Sequence, residues 1–258
     1  MIVDEMTFRE IYNDLNSYGD IEKLYRRYKG RKGFSREFFL VIYTQRNIRD
    51  VTARFRKVKS KVPQLVKQWK AGKSLLEISR TLDFSPVMTA FLILTSMEWG
   101  RASFRKMIND PESVEDTRLA RELSEVRKND PIYSPEGNEV QRKRGVKGEA
   151  LIRDWLDERG IGYEREEDLR AEGGKTPDFL LHKTIYFRGE PVKWIESKGS
   201  FGDMKEIRKN MKKQLRSYRE LFGPGMVIYW FGVVDDAPVE DGIIIETREV
   251  LSDHWDLD

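Results

Sequence analysis

The chain has 258 residues, 35% of them charged and 39% hydrophobic, with a net charge of +3, two histidines and no cysteine. This composition excludes disulfides, cysteine-based zinc sites and thiol nucleophiles, and no stretch approaches the ~18 consecutive apolar residues of a membrane span. The charge is uneven: residues 1–110 hold 22 Lys/Arg against 12 Asp/Glu, and residues 111–258 hold 25 against 32, so the front attracts phosphate and the back suits a cation.

The opening MIVDEMTFRE is too acidic for a signal peptide, and a cytoplasmic protein is expected. Abundant Lys, Arg and Glu give the chain a thermophile-like composition. Thr7 to Tyr18 reads as a helix, with Thr7 as N-cap and Glu10 closing a capping box. A second segment carries Ile21, Leu24, Tyr25 and Tyr28. After the basic turn Lys29–Gly33, Ser35 caps a third helix, and the three form a helix-turn-helix candidate.

From Arg46 to Lys73, ten Lys/Arg meet one acid, Asp50. Arg54, Arg56, Lys57, Lys59, Lys61 and Lys73 are candidates for phosphate contact; the plain alternative is a solvated helical face. Gly72 to Pro86 reads as the first helix and turn of a second helix-turn-helix, with Leu75, Ile78 and Leu82 facing inward and Ser85-Pro86 opening the next helix. That next helix, through Leu94, is too apolar to read base edges, which favours binding through the DNA backbone. Glu112 to Lys128 reads as a connector helix. Asn129–Pro131 and Ser134–Gly137 read as loops. A boundary near residue 130 then separates an all-α, helix-turn-helix-type region (1–130) from an α/β domain (131–258).

In the second part, Gln141–Gly145 reads as a basic loop, and a helix starts at Gly148. Strands are expected over Ile161–Leu169, Phe179–Phe187, Val192–Lys198, Met226–Val234 and Ile243–Ile245, with a turn at Gly173-Gly174 and a helix from Asp203 to Phe222. This order gives a mixed sheet. Period two puts Glu196 and Lys198 on one side of their strand, and the hairpin brings Asp178 to Glu196. Two carboxylates at one point repel unless a cation lies between them. Oxygen ligands suit Mg²⁺ or Mn²⁺, with the carbonyl of Ile195 or Ser197 as a further ligand. Lys198 would orient or deprotonate a water, or neutralise charge on a phosphate. Arg208, Lys209 and Lys212 on the following helix are further phosphate candidates.

Residues 145–218 resemble the PD-(D/E)xK nuclease superfamily. Asp178, Glu196 and Lys198 match its central triad, and Gly199 follows. Gly148-Glu149 resembles the acidic helix of Holliday-junction resolvases, and Gln214 with Tyr218 the Q-x-x-x-Y element of RecB-like nucleases. The whole chain, with the tripeptide Thr176-Pro177-Asp178, looks like the TPD family, which includes archaeal proteins and an animal codanin-interacting nuclease. The resemblance implies a restriction-endonuclease-like fold and a divalent-metal-dependent cut in duplex or branched DNA. It also implies Glu149 as an outer metal ligand, Gln214 and Tyr218 beside the catalytic group, and a homodimer as in resolvases. A membrane and a small-molecule cofactor are not expected. A non-catalytic DNA-binding scaffold and an RNA nuclease are the alternatives.

Overall fold

A computed structural model describes residues 1–169 and 175–255; the turn expected at Gly173-Gly174 lies outside them. The chain forms two compact units. One joins residues Met1–Tyr43 with Lys143–Asp258, and the other is Thr44–Arg142. The units therefore interleave along the chain, where the sequence reading draws one cut near residue 130. Among the described residues, no helix is long and apolar enough to cross a membrane.

In the discontinuous unit, β1 (Ile2–Val3) is followed by α1 (Glu5–Asp14), α2 (Asp20–Arg27) and the start of α3 (Arg36–Lys59). The first helix begins earlier than expected. Asp4, not Thr7, is its N-cap and accepts the Thr7 N–H at 2.9 Å, which satisfies one orphan donor of the first turn. Ser35 caps α3 as expected, accepting from Phe38 N–H at 3.1 Å, but the helix runs on for 24 residues and absorbs the basic stretch to Lys59. Phe8, Ile11, Phe38 and Phe39 pack with Phe201 and Val234 from the far end of the chain.

The continuous unit holds α4 (Val62–Lys70), α5 (Leu75–Leu82), α6 (Pro86–Thr95), α7 (Arg101–Asn109) and α8 (Thr117–Lys128). The expected helix-turn-helix signals are present locally. Ser85 caps α6 with Pro86 in its first turn; beyond what was expected, Ser74 and Glu77 form a capping box and Asp83 turns the chain in the left-handed region. The apolar sequence of α6 has a simple cause: none of its residues is exposed, and Ala90, Leu92, Ile93 and Leu94 lie in the core. The helix in the recognition position is thus a core helix with no face for reading bases. Two buried carboxylates tie this core together. Glu122 accepts from Trp69 Nε1 and Leu75 N–H, and Asp130 accepts from Ser85 Oγ and three backbone N–H groups.

The segments 134–137 and 141–145 are not loops. They belong to one helix, α9 (Pro135–Glu158), capped by Ser134 through Gly137 N–H at 3.0 Å. Gly137, which suggested a loop, serves close packing instead, and so does Gly148, read as the start of a helix. A Cβ at Gly137 would stand 2.4 Å from the Pro131 carbonyl oxygen, and one at Gly148 2.2 Å from Trp230 Nε1.

The sheet follows with β2 (Tyr163–Arg165), the short α10 (Glu166–Leu169), β3 (Phe179–Phe187), β4 (Glu190–Lys198), β5 (Gly225–Tyr229), β6 (Val233–Val234) and β7 (Ile243–Thr247). Two expected strands are shorter than read. Residues 166–169 turn into helix, and the apolar run from Met226 breaks at Gly232, whose φ of +101° is a glycine conformation. β6 then pairs in parallel with β1. The central sheet runs β2-β3-β4-β5-β7, antiparallel through β4 and parallel beyond it, so the mixed sheet is as expected. Strand alternation sorts its two faces. Ile195, Met226 and Ile228 meet Ile152 and Trp155 of α9. Trp194, Val227 and Tyr229 meet Ile207, Met211, Leu215 and Tyr218 of the second covering helix. Each large side chain buried this way contributes about 1.5–3 kcal/mol.

The second helix has α11 (Met204–Asn210), capped by Asp203, and α12 (Arg216–Phe222). Between them, Met211–Leu215 form a wide π turn in which Arg216 N–H donates to the Met211 carbonyl. Such turns often mark functional positions, and this one carries Gln214.

Candidate active site

The β3–β4 register pairs Phe179 with Ile195, which sets Asp178 across from Glu196 at the mouth of the hairpin. The contacts interlock. Asp178 N–H donates to Glu196 Oε2 at 3.2 Å, and Ser197 N–H donates to Asp178 Oδ2 at 2.7 Å. Lys198 Nζ reaches Glu196 Oε1 at 2.5 Å and Gln214 Oε1 at 2.9 Å. Trp230 Nε1 donates to Ser197 Oγ at 2.7 Å. This bond anchors the Ser197 side chain against Trp230.

Burial dominates the electrostatics. Glu196 is only 3% exposed. Desolvation and the neighbouring Asp178 charge push its carboxyl up to about 7, against the pull of Lys198. Asp178 is raised by burial, partly offset by the Ser197 N–H and the Lys198 charge. Glu149 is raised by burial and by Asp178; Arg165 lies 3.9 Å away and lowers it. Carboxylates that resist ionising together become stable anions when a cation arrives. The donor set is all oxygen, which fits Mg²⁺ or Mn²⁺ rather than a soft metal. Among the described residues, no three carboxylate or imidazole groups are gathered tightly enough to hold an ion alone. Water and backbone carbonyls would have to complete the shell, as Mg²⁺ commonly requires.

The structure gathers Asp178, Glu196, Ser197, Lys198 and Gln214 into one bonded group, with Glu149 within electrostatic reach. Tyr218 is buried in T-shaped contact with Trp194, ring centroids 5.5 Å apart. Burial and the fields of Glu196 and Asp178 raise its hydroxyl pKa. Sequence reasoning missed Glu166. The β2–β3 register pairs Arg165 with Phe179, so the next residue, Glu166, falls beside Asp178, and its charge raises both Asp178 and Glu149. The available signal was its place at the end of a strand that pairs with the Asp178 strand.

The phosphate candidates are spread over both units. Arg56, Lys57, Lys59, Lys61 and Lys73 are exposed, as are Arg208, Lys209 and Lys212. Arg54 is engaged internally, donating to Asp50 and to the Leu82 carbonyl. Lys209 pairs with Glu206 at 2.8 Å.

No solved structure matches the chain. Three vertebrate relatives each carry the name CDAN1-interacting nuclease 1. The mouse and human proteins are each 34% identical over 186 residues, covering 68% of this chain and 66% of the relative. The zebrafish protein is 36% identical over 182 residues, covering 67% and 61%. The chain thus spans just under two thirds of the length of the curated relatives it matches. The family described as "Protein of unknown function TPD sequence-motif" matches residues 115–249, a span that contains Thr176-Pro177-Asp178 and every residue of the site above. On that match and those identities, the chain belongs to the TPD sequence-motif family.

Proposed function

We propose that the protein is a divalent-metal-dependent nuclease of the PD-(D/E)xK type that hydrolyses phosphodiester bonds in DNA. The observation that carries this reading is the pairing of Asp178 with Glu196, with Lys198 bonded to both Glu196 and Gln214. The relatives' name, nuclease, supports the reaction class.

When bound, Mg²⁺ or Mn²⁺ would polarise the scissile phosphate and acidify a water. The chain's own groups divide the remaining work. Asp178 and Glu196 would hold the cation, with Glu149 as a further carboxylate within electrostatic reach. Ser197 N–H fixes the Asp178 carboxylate, which limits the reorganisation needed during the reaction. The two oxygens around Lys198 orient its ammonium, so this side chain acts by stabilising charge on the phosphate and holding the attacking water. Tyr218 and Trp194 close the site on the covering-helix side. Exposed Lys and Arg side chains, among them Lys57, Lys61, Lys73 and Arg208, supply phosphate attraction that carries no sequence preference.

The test is a cleavage panel of linear duplex, flap, four-way junction, single-stranded DNA and RNA, each run with Mg²⁺, Mn²⁺ or EDTA beside Lys198→Ala. Cutting that needs metal and is lost in the variant is the expected result. Binding without cutting on any substrate would replace this reading with a scaffold role, and cutting confined to RNA would overturn the DNA assignment.

A further inference from the structure

A cleft of about 610 Å³ opens next to the candidate site within the same unit. Trp230 joins the two. It is one of the residues lining the cleft, its Nε1 donates to Ser197 Oγ, and its backbone N–H donates to the Lys198 carbonyl at 3.1 Å. The cleft is therefore one residue removed from Asp178, whose carboxylate holds the Ser197 N–H.

Two kinds of wall meet here. Phe34, Trp230 and Phe231 supply aromatic surface, and Arg31, Lys32 and Arg248 supply positive charge. The first residues of α3 form part of the lining and add the positive end of a 24-residue helix. The two acids present are already committed. Glu249 binds the Met1 ammonium at 2.6 Å and accepts from the Thr247 hydroxyl. Glu37 lies 3.6 Å from Arg144 Nε, beyond hydrogen-bond distance.

Arg144 is the second, independent sign of a ligand. Its side chain is 8% exposed, its Nε has no hydrogen-bond partner, and its guanidinium lies 6.0 Å from the Phe231 ring centre. Its two neighbours here, Glu37 and Phe231, both line the cleft. Glu37 offsets the charge of Arg144, but the buried Nε donor itself is unmet, which is costly, and a closer acceptor would satisfy it.

We infer that this cleft takes one unpaired nucleotide of the substrate strand beside the scissile phosphate, with its base on the Trp230–Phe231 surface and its phosphate toward Arg31 and Lys32. The inference rests on the nuclease reading and narrows its substrate class. Ligand pockets of this size suit a single nucleotide. A base inside a duplex hides both faces in the stack and enters only after leaving it, at a cost of a few kcal/mol. An already unpaired base avoids that cost, and stacking on aromatic rings is tolerant of sequence. The favoured substrate therefore has a flap, frayed end or single-stranded stretch at the cut.

The test measures binding by fluorescence anisotropy with the full chain in EDTA, on a duplex with a five-nucleotide unpaired flap and on the same duplex without it. The wild type is expected to favour the flap by roughly tenfold or more, and R31E/K32E to lose most of that preference with little change on the plain duplex. R31A/K32A, in which no charge is reversed, should fall between the two. Equal wild-type affinity for both substrates, a preference that survives in R31E/K32E, or an equal loss on both would overturn the inference. Cutting in Mg²⁺ separates it from its parent. If cutting depends on Lys198 but no flap preference exists, the cleft assignment fails and the nuclease stands. If R31E/K32E abolishes a flap preference in a protein that never cuts, the nuclease reading fails and the cleft stands.

Discussion

Gln214 reaches Lys198 from a different element, its Oε1 lying 2.9 Å from the ammonium. The π turn at Met211–Leu215 places that amide, so the covering helix positions a group at the end of β4. Gln214→Ala should leave the fold intact and lower single-turnover cleavage by roughly ten- to a hundredfold, the usual cost of losing a partner that orients a functional side chain. Wild-type rates in this variant would make the contact incidental.

The raised Glu196 carboxyl makes metal-free stability depend on pH. Its folded value, about 7, lies above its ordinary 4.5. The folded state therefore holds a proton that the unfolded state has released across that window, and stability falls as pH rises through it. Metal-free protein should melt at a higher temperature at pH 5.5 than at pH 8, with a difference of up to about 2 kcal/mol from this group. Glu196→Gln should flatten that slope. Mg²⁺ should raise Tm more at pH 8 than at pH 5.5, because binding requires the proton to leave. Scanning calorimetry with and without metal reads all three effects.

Gly148→Ala sets two effects against each other. Alanine inside a helix gains about 1 kcal/mol over glycine. Here its methyl would fall 2.2 Å from Trp230 Nε1 and 2.8 Å from Ser197 Oγ, and overpacking costs about 1–3 kcal/mol. The neighbours are a ring and a strand residue, neither a flexible chain end, so the clash should win. Denaturant unfolding should show net destabilisation, and cleavage should fall further than stability alone explains, because the displaced Ser197 holds Asp178.

Asp130→Ala probes the other unit. The carboxylate is 3% exposed and serves Ser85 Oγ and the N–H groups of Val87, Ile132 and Tyr133. Its loss leaves several buried donors unmet, which should cost about 3 kcal/mol. Urea unfolding checks the value, and a change below about 1 kcal/mol would mean that water takes over these bonds.

The triad was legible because it rests on local rules. Strand alternation fixes Glu196 and Lys198, and a tight hairpin fixes Asp178. The capping signals at Ser35, Ser85 and Asp203 were legible for the same reason. Glycine and proline misled where packing outweighs propensity: Ser134–Gly137 read as a loop, yet Gly137 sits where only a missing Cβ allows close approach. α6 had the local form of a recognition helix, but burial is a tertiary property, and its apolar residues were the one clue. Glu166 was missed because, although a strand could be read around it, its pairing with the strand that follows Asp178 is not written in the spacing of a single sequence.

Pairing of Ile2 with Val233 makes folding of the discontinuous unit a long-range event. Contacts of high sequence separation form slowly, since loop closure must come before they are rewarded. On a ribosome, residues 44–142 can complete their core while the first 43 residues still wait for partners such as Phe201 and Val234. Until then Phe8, Ile11, Phe38 and Phe39 lack the far half of their core, and such exposed surface invites aggregation. A fragment beginning at residue 131 would lack β1 to α3 altogether. Expression of the nuclease-like part should therefore succeed only when residues 1–43 are supplied, on the same chain or as a separate piece.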